Sequence, residues 1–328
     1  MKNIYLVLVI ALFISGCSSR QYFEPEDTNG DYQSEVSYND YEIVDFNANG
    51  ATLEDYKFIS ADGITTNSIK NGFKFINNND GVIIGADSQG QLLIQNKGSI
   101  EEFAFDKNII SASVKDNLIA LCFVDNSIML YDKKLKQKYF KEYFTLSLVN
   151  DIKIANPIFL DTVILYPTLD GKVIVVDIAK KSIIKTMNID PRGKINNIIY
   201  LSSIDDTLVA ATPSKLFTFV SGRVNIKDFD IKNVIINNKS IIISTLDGEV
   251  IKLNKELQII KRKKFKFAKF HALGAGEYIY ALESNEYLIR FNSDLEDVKI
   301  FDFSFDEDKK VISIGDKLYF DDKSITLK

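Results

Sequence analysis

Apolar residues in this chain come in short runs of four to six, rich in Val and Ile and broken by polar turns. Runs of that length and composition read as strands, because β-branched side chains suit a pleated, half-buried surface. Two segments align without a gap: residues 164–177 read ILYPTLDGKVIVVD and residues 241–254 read IIISTLDGEVIKLN. Each is an apolar strand, a Thr-Leu-Asp-Gly turn and a second strand. Asp170-Gly171 and Asp247-Gly248 suit tight hairpins, since glycine takes a positive φ without a Cβ clash.

The same hairpin recurs with looser turns around Gly90, Ser127, Lys215, Glu286 and Lys323. Together with Gly171 and Gly248 the mean spacing is about 39 residues, the period of a four-stranded propeller blade. The expected fold is therefore an all-β propeller of four-stranded antiparallel blades over residues 51–328. Seven blades are favoured. Eight result if 56–76 hide a further hairpin at Asp62-Gly63. After Lys323 only five residues remain, too few for a fourth strand. The ring then needs an N-terminal strand to close it, and the β-rich stretch 56–69 is the expected donor.

Lysine-rich stretches follow several hairpins, at 132–138, 180–182 and 261–266. On the outermost strand of a blade, lysine discourages pairing with other chains. Its recurrence favours that reading over a dedicated binding patch at 261–266.

The N-terminus breaks the pattern. Lys2 is followed by an apolar run of eleven residues from Ile4 to Ile14, then Ser15-Gly16-Cys17. The run is too short to span a bilayer, which needs about 20 apolar residues, and fits a signal-peptide core. Small residues before a cysteine resemble a bacterial lipobox. This resemblance implies cleavage after residue 16, acylation of Cys17, and an outer-membrane address facing the periplasm, since no Asp follows the cysteine. An uncleaved anchor is the alternative.

Charge then sharpens the division. The chain carries −5 overall, yet residues 18–50 alone hold eight acids and one base, or −7. Residues 17–50 accordingly read as a lipidated cysteine and an acidic flexible tether, whose aromatics could dock on the domain or on a partner. The rest is nearly neutral, and the acidic balance of the whole chain argues against a general nucleic-acid binder. Within the tether, Asp45-x-Asn47-x-Asn49-Gly50 opens like a calcium loop, but Tyr56 stands where the closing Glu belongs, so a turn is expected.

Candidate chemistry is sparse. One His, two Cys and no Trp exclude a His-built zinc site or a cysteine cluster. Cys122, between Leu121 and Phe123, reads as a small core residue. His271 lacks a recognisable nucleophile motif and reads as structural. Asp302, Asp306, Glu307 and Asp308 read as a solvated loop.

The unit Thr-Leu-Asp-Gly-Lys-Val-x-Val-Val-Asp at 168–177, with Lys180-Lys181 after it, resembles the PQQ-like propeller repeat. With a lipobox and one domain, it resembles BamB-type lipoproteins of the outer-membrane β-barrel assembly machinery. The resemblance implies a non-enzymatic, cofactor-free scaffold: a monomer held at the membrane that binds envelope proteins such as that machinery. A part in a secretion or motility apparatus is the first alternative. A quinoprotein-like enzyme or ligand-binding propeller is the second, though the tryptophans of quinoproteins are missing. BamB-type rings usually have eight blades, and no partner-contacting loop can be carried over.

Overall fold

Eight four-stranded antiparallel sheets form a closed ring in the computed structural model, which describes residues 21–145, 154–193 and 195–328. Blade one comprises Ile43–Asn47, Gly50–Leu53, Phe58–Ser60 and Gly63–Ile64. Blades two to seven follow in order at 74–104, 109–143, 158–188, 200–228, 231–264 and 270–302. Blade eight takes Ile312–Ile314, Lys317–Phe320 and Lys323–Thr326 from the C-terminal end and Val36–Tyr38 from the N-terminal side.

The count is eight rather than the favoured seven. The extra blade contains the Asp62-Gly63 hairpin, where Ser60 pairs with Gly63. Its strands are five, four, three and two residues long, so their apolar signal is faint. An N-terminal strand does close the ring, but it is not 56–69. That stretch supplies the two outer strands of blade one. Val36–Tyr38 instead pairs antiparallel with the last strand, Val36 opposite Ile325 and Tyr38 opposite Lys323. Both Val36–Tyr38 and Ile43–Asn47 lie inside 17–50, so the propeller begins well before residue 51.

The core is a ring of eight layers between neighbouring blades. Ile84, Leu92 and Ile94 of blade two, for example, meet Ala112, Leu121 and Phe123 of blade three. Alternation along each strand produces this arrangement, with one set of side chains facing the previous blade and the other the next. Two layers receive help from the N-terminal segment. Phe23 enters the layer between blades six and seven, and Tyr32 that between seven and eight. Cys122 is buried between blades three and four, and burial pushes its thiol pKa up, away from the reactive thiolate.

Strand direction gives the ring two distinct faces. Turns between second and third strands, and the links from each outer strand to the next blade, share one face, termed lower here. Turns between first and second, and third and fourth strands, share the upper face. On the lower face one lock repeats. The carbonyls of Gly90, Asn126, Gly171, Ser214, Gly248 and Glu286 accept hydrogen bonds from the N–H of Phe105, Phe144, Ile189, Phe229, Phe265 and Phe303. Each ties the exit of an outer strand to the blade's middle turn.

The lysine-rich stretches lie on the turns before outer strands and on the strands themselves, and several reach sideways. Lys261 of blade six meets Glu296 of blade seven at 2.7 Å, and Lys133 of blade three meets Glu101 of blade two at 2.5 Å. Exposed pairs of this kind contribute roughly 0–1 kcal/mol each. Their effect is to set neighbour against neighbour around the rim.

Candidate functional site

Inner strands of a propeller line its central channel, and here the strands of blades one to three carry polar side chains where an apolar one would pack. Asn77 is buried and donates from Nδ2 to Ala112 O at 3.0 Å and Ser113 Oγ at 2.9 Å. Its Oδ1 accepts from Asn49 Nδ2 at 2.8 Å. Asn47 donates to the carbonyls of Phe75 and Ile76 at 3.1 and 3.0 Å. Asn156, just ahead of blade four, donates to Ile76 O at 3.0 Å and accepts from Ser111 Oγ at 3.1 Å and Ala112 N at 3.2 Å. Asparagine suits this place because one amide both donates and accepts, so a single side chain can join two blades. A buried network with its members paired fixes the register between blades one and four.

These residues surround the upper mouth of the channel, a cavity of about 550 Å³ lined by Asn49, Asn77–Asp80, Lys115, Asn156 and Tyr200 among others. A second cavity of about 230 Å³ continues inward past Tyr200, Lys232 and His271. A third, of about 480 Å³, opens on the lower face beside Asp45, Lys74, Asp87 and Lys310. Burial pushes the Tyr200 phenol up to about 12, so it stays a neutral hydroxyl. The lining of these three cavities contains no arginine. Among the described residues, no group of three His, Cys, Asp or Glu side chains is placed to hold a metal ion. Amides and hydroxyls line the upper mouth together with Asp80 and Lys115, Lys232 and His271 stand further in, and the lower opening carries Asp45, Lys74, Asp87 and Lys310.

The one imidazole sits in this channel. His271 is half-buried, its ring edge-on to Phe305 with centroids 5.5 Å apart. Burial, then the charge of Lys232, lowers its pKa from the ordinary 6.5, against a smaller opposing pull from Glu307. The unfolded chain therefore takes up a proton that the folded chain resists. Stability owed to the neutral imidazole is complete above the unfolded value and is lost as pH falls below it. With one His in the chain, its proton NMR resonance is unambiguous, and its titration midpoint should lie below 6.5. A midpoint at or above that value would show that the channel does not desolvate the ring.

The remaining sequence candidates scatter. Cys17 lies outside the described residues. Gly90, Gly171 and Gly248 hold positive φ values of 88°, 75° and 83° in lower-face turns. Asp170 pairs with Lys172 at 2.5 Å and Asp247 with Lys264 at 2.5 Å, in lower-face turns outside the linings of the three cavities. Burial pushes the Asp170 carboxyl up, but hydrogen bonds from Lys172, Thr168 and Asn126 outweigh it and leave it below its ordinary value. Asp45, Asn47 and Asn49 diverge: Asp45 goes to Lys74, Asn47 to blade two's backbone and Asn49 to Asn77. Asp302 belongs to the outer strand of blade seven and accepts from Thr28 Oγ1 at 2.9 Å, while Asp306 accepts from the backbone N–H of Asp308. The asparagine belt went unread in the sequence. Its signal is the run Asn77-Asn78-Asn79, polar residues following Phe75-Ile76 on one strand.

Comparison with known proteins adds two kinds of likeness. No family model matches the chain. Among curated proteins, the plasminogen-binding protein PgbB of Helicobacter pylori strain J99 is 27% identical, over 98% of this chain and 67% of that protein. PgbB of strain 26695 is 26% identical over the same shares. Among solved structures, BamB from Moraxella catarrhalis superposes with a TM-score of 0.65 and 15% identity, covering 90% of this chain and 99% of that one. The C-terminal WD40 domain of Sif2 gives 0.61 at 12% identity, covering 90% and 98%. The computationally designed Ika8 gives 0.59, also at 12%, covering 90% and 97%. At these identities the solved structures share the propeller fold with this chain, and the relationship in sequence is to the PgbB proteins.

Proposed function

We propose that this protein is a non-enzymatic propeller, lipid-anchored in the cell envelope, that binds another protein on the rigid surface of its ring. The observation that carries the reading is the alignment with PgbB over 98% of the chain. It spans the whole ring, and the name of that relative describes binding to a protein. The site supports a binder rather than a catalyst. Paired amides join the blades at the upper mouth, Cys122 is sealed in the core, and the ring contact of His271 is with Phe305. A closed ring offers loops from eight blades on two fixed faces, a surface of the kind that protein partners engage. The lipobox at Cys17 supplies the anchor.

Plasminogen is the first partner to test. Components of the outer-membrane barrel-assembly machinery are the second, on the strength of the lipobox joined to a PQQ-like repeat. The full-length lipoprotein, purified in detergent and immobilised, should bind plasminogen saturably. The same protein crosslinked in its own membranes should otherwise recover assembly components. If neither occurs, the scaffold reading falls. Labelled palmitate should enter the wild-type chain and not Cys17→Ala. Incorporation into the variant would sink the anchor reading.

A further inference from the structure

The route of the N-terminal segment places the propeller relative to its anchor. Phe23 is buried between blades six and seven, edge-on to Phe265 and Tyr287 with centroids 5.8 and 5.7 Å apart. Asn285 Nδ2 donates to its carbonyl at 3.3 Å. Asn285 lies in the turn between the second and third strands of blade seven, and Phe265 in the link between blades six and seven. Both belong to the lower face. Downstream the chain is held again: Asn29 N–H donates to Ile300 O, and Tyr32 N–H to Asp302 O. The segment is thus a strap fixed to blade seven. Cys17 precedes Phe23 by six residues, which reach at most about 20 Å when fully extended.

Around this point the lower face carries exposed apolar tips. Tyr22 is 52% exposed, Leu246 61% and Phe267 39%. They form one neighbourhood: Phe265 N–H donates to Gly248 O, which ties the 265–268 loop to the turn bearing Leu246. Phe267 holds a φ of 68°. A bulky residue in the left-handed region costs energy, so a backbone that turns Phe267 toward solvent on such a bend needs a reason. Lys266 lies over its ring at 4.8 Å. Lys264 is matched by Asp247, and Lys266 and Lys269 are set against Glu24, Glu283 and Glu286 around Tyr287, so the sector is close to neutral.

We infer that this sector of the lower face, around Tyr22, Leu246 and Phe267, rests on the lipid bilayer, with the upper face turned away from it. The inference builds on the lipid anchor proposed above. Aromatic and aliphatic tips with one or two lysines suit a membrane interface, where rings sit at headgroup depth and ammonium groups reach phosphates. A six-residue leash brings that sector, and not the opposite face, within reach of the headgroups. The nearly neutral patch commits the occupant to a lipid surface in general rather than to a polyanion.

Single-cysteine labelling tests this, because Cys17 is acylated on the proposed reading and Cys122 is buried and unreactive. Phe267→Cys and Leu246→Cys on the lower face, and Lys134→Cys on the upper, would each carry an environment-sensitive fluorophore. The acylated proteins would be placed in phosphatidylcholine vesicles containing a headgroup-linked quencher. Quenching at 267 and 246 should exceed that at 134 severalfold. Equal or reversed quenching in protein shown to carry palmitate would overturn the inference and leave the anchor standing. Absence of palmitate would overturn both. Quenching at 134 alone would point to a protein-facing role for the lower patch and would likewise reject the inference.

Discussion

Gly171→Ala should be among the most damaging single-methyl changes available to this protein. Gly171 holds a φ of 75°, and a Cβ built there would stand 2.4 Å from Asp190 O and 3.1 Å from Asn196 Nδ2. The contact is with backbone, so it cannot be relieved by a rotamer change. Two costs add: about 1–2 kcal/mol for an L-residue in the left-handed region, and about 1–3 kcal/mol for overpacking. Gly98→Ala separates them, because Gly98 has a φ of 83° and nothing within 4 Å of its Cβ position. Gly98→Ala should lose only the conformational part. Chemical denaturation of the two variants gives the difference directly, and equal losses would mean that the lock at Gly171 yields easily.

The same test extends along the repeat. Gly90 would place a Cβ 2.5 Å from Phe105 O, and Gly248 one 2.5 Å from Phe265 O. In each case the crowding carbonyl belongs to the outer-strand exit that the glycine's own carbonyl holds. Close approach of two backbones is what excludes a side chain here. Asn126 fills the equivalent place in blade three with a φ of 59°. Asparagine is the residue after glycine most at ease there, and its amide adds bonds of 2.7 Å from Nδ2 to Thr145 O and from Leu169 N–H to Oδ1.

This explains which parts of the ring the sequence could show. The Asp-Gly turns at 170–171 and 247–248 were legible because the backbone geometry admits few residues. The hairpins around Gly90, Ser127, Lys215 and Glu286 were legible through strand length and spacing. Blade one showed only as the alternative hairpin at Asp62-Gly63, since its second and third strands are Gly50–Leu53 and Phe58–Ser60, too short to show alternation. The strap was not legible, because an acidic stretch with scattered aromatics looks solvated until a hydrophobic layer is built to receive it. The one ring in each stretch that matters, Phe23 and Tyr32, is set by tertiary position and not by local pattern. The repeated apolar residue after each outer strand, Phe105, Phe144, Ile189, Phe229, Phe265 and Phe303, was visible in principle at a spacing close to the blade period. The asparagine belt is harder to foresee, because partners such as Asn77 and Ser113 sit 36 residues apart and meet only when the blades stack.

Removing residues 21–38 should open the ring. Val36–Tyr38 supplies the outer strand of blade eight, and without it Lys323–Thr326 becomes an unpaired edge. The strap also fills two layers. Phe23 touches Phe265 and Tyr287, and Tyr32 lies 5.3 Å from Phe301 and 6.0 Å from Tyr280. Truncating one buried Phe typically costs about 3–5 kcal/mol, which is already a large part of the 5–15 kcal/mol that holds an ordinary domain folded. Losing both rings and a strand should therefore lower the melting temperature sharply, and the bare edge should promote self-association. Phe23→Ala alone should keep the closing strand and destabilise without association. A synthetic peptide covering 21–40, added to the truncated protein, should restore monomer and raise the melting temperature in a concentration-dependent way, since anything that binds only the folded state stabilises it. A truncated chain that melts like the full one and stays monomeric would show that the first seven blades hold the eighth without help, and the strap would then have to be read as an anchor arm alone.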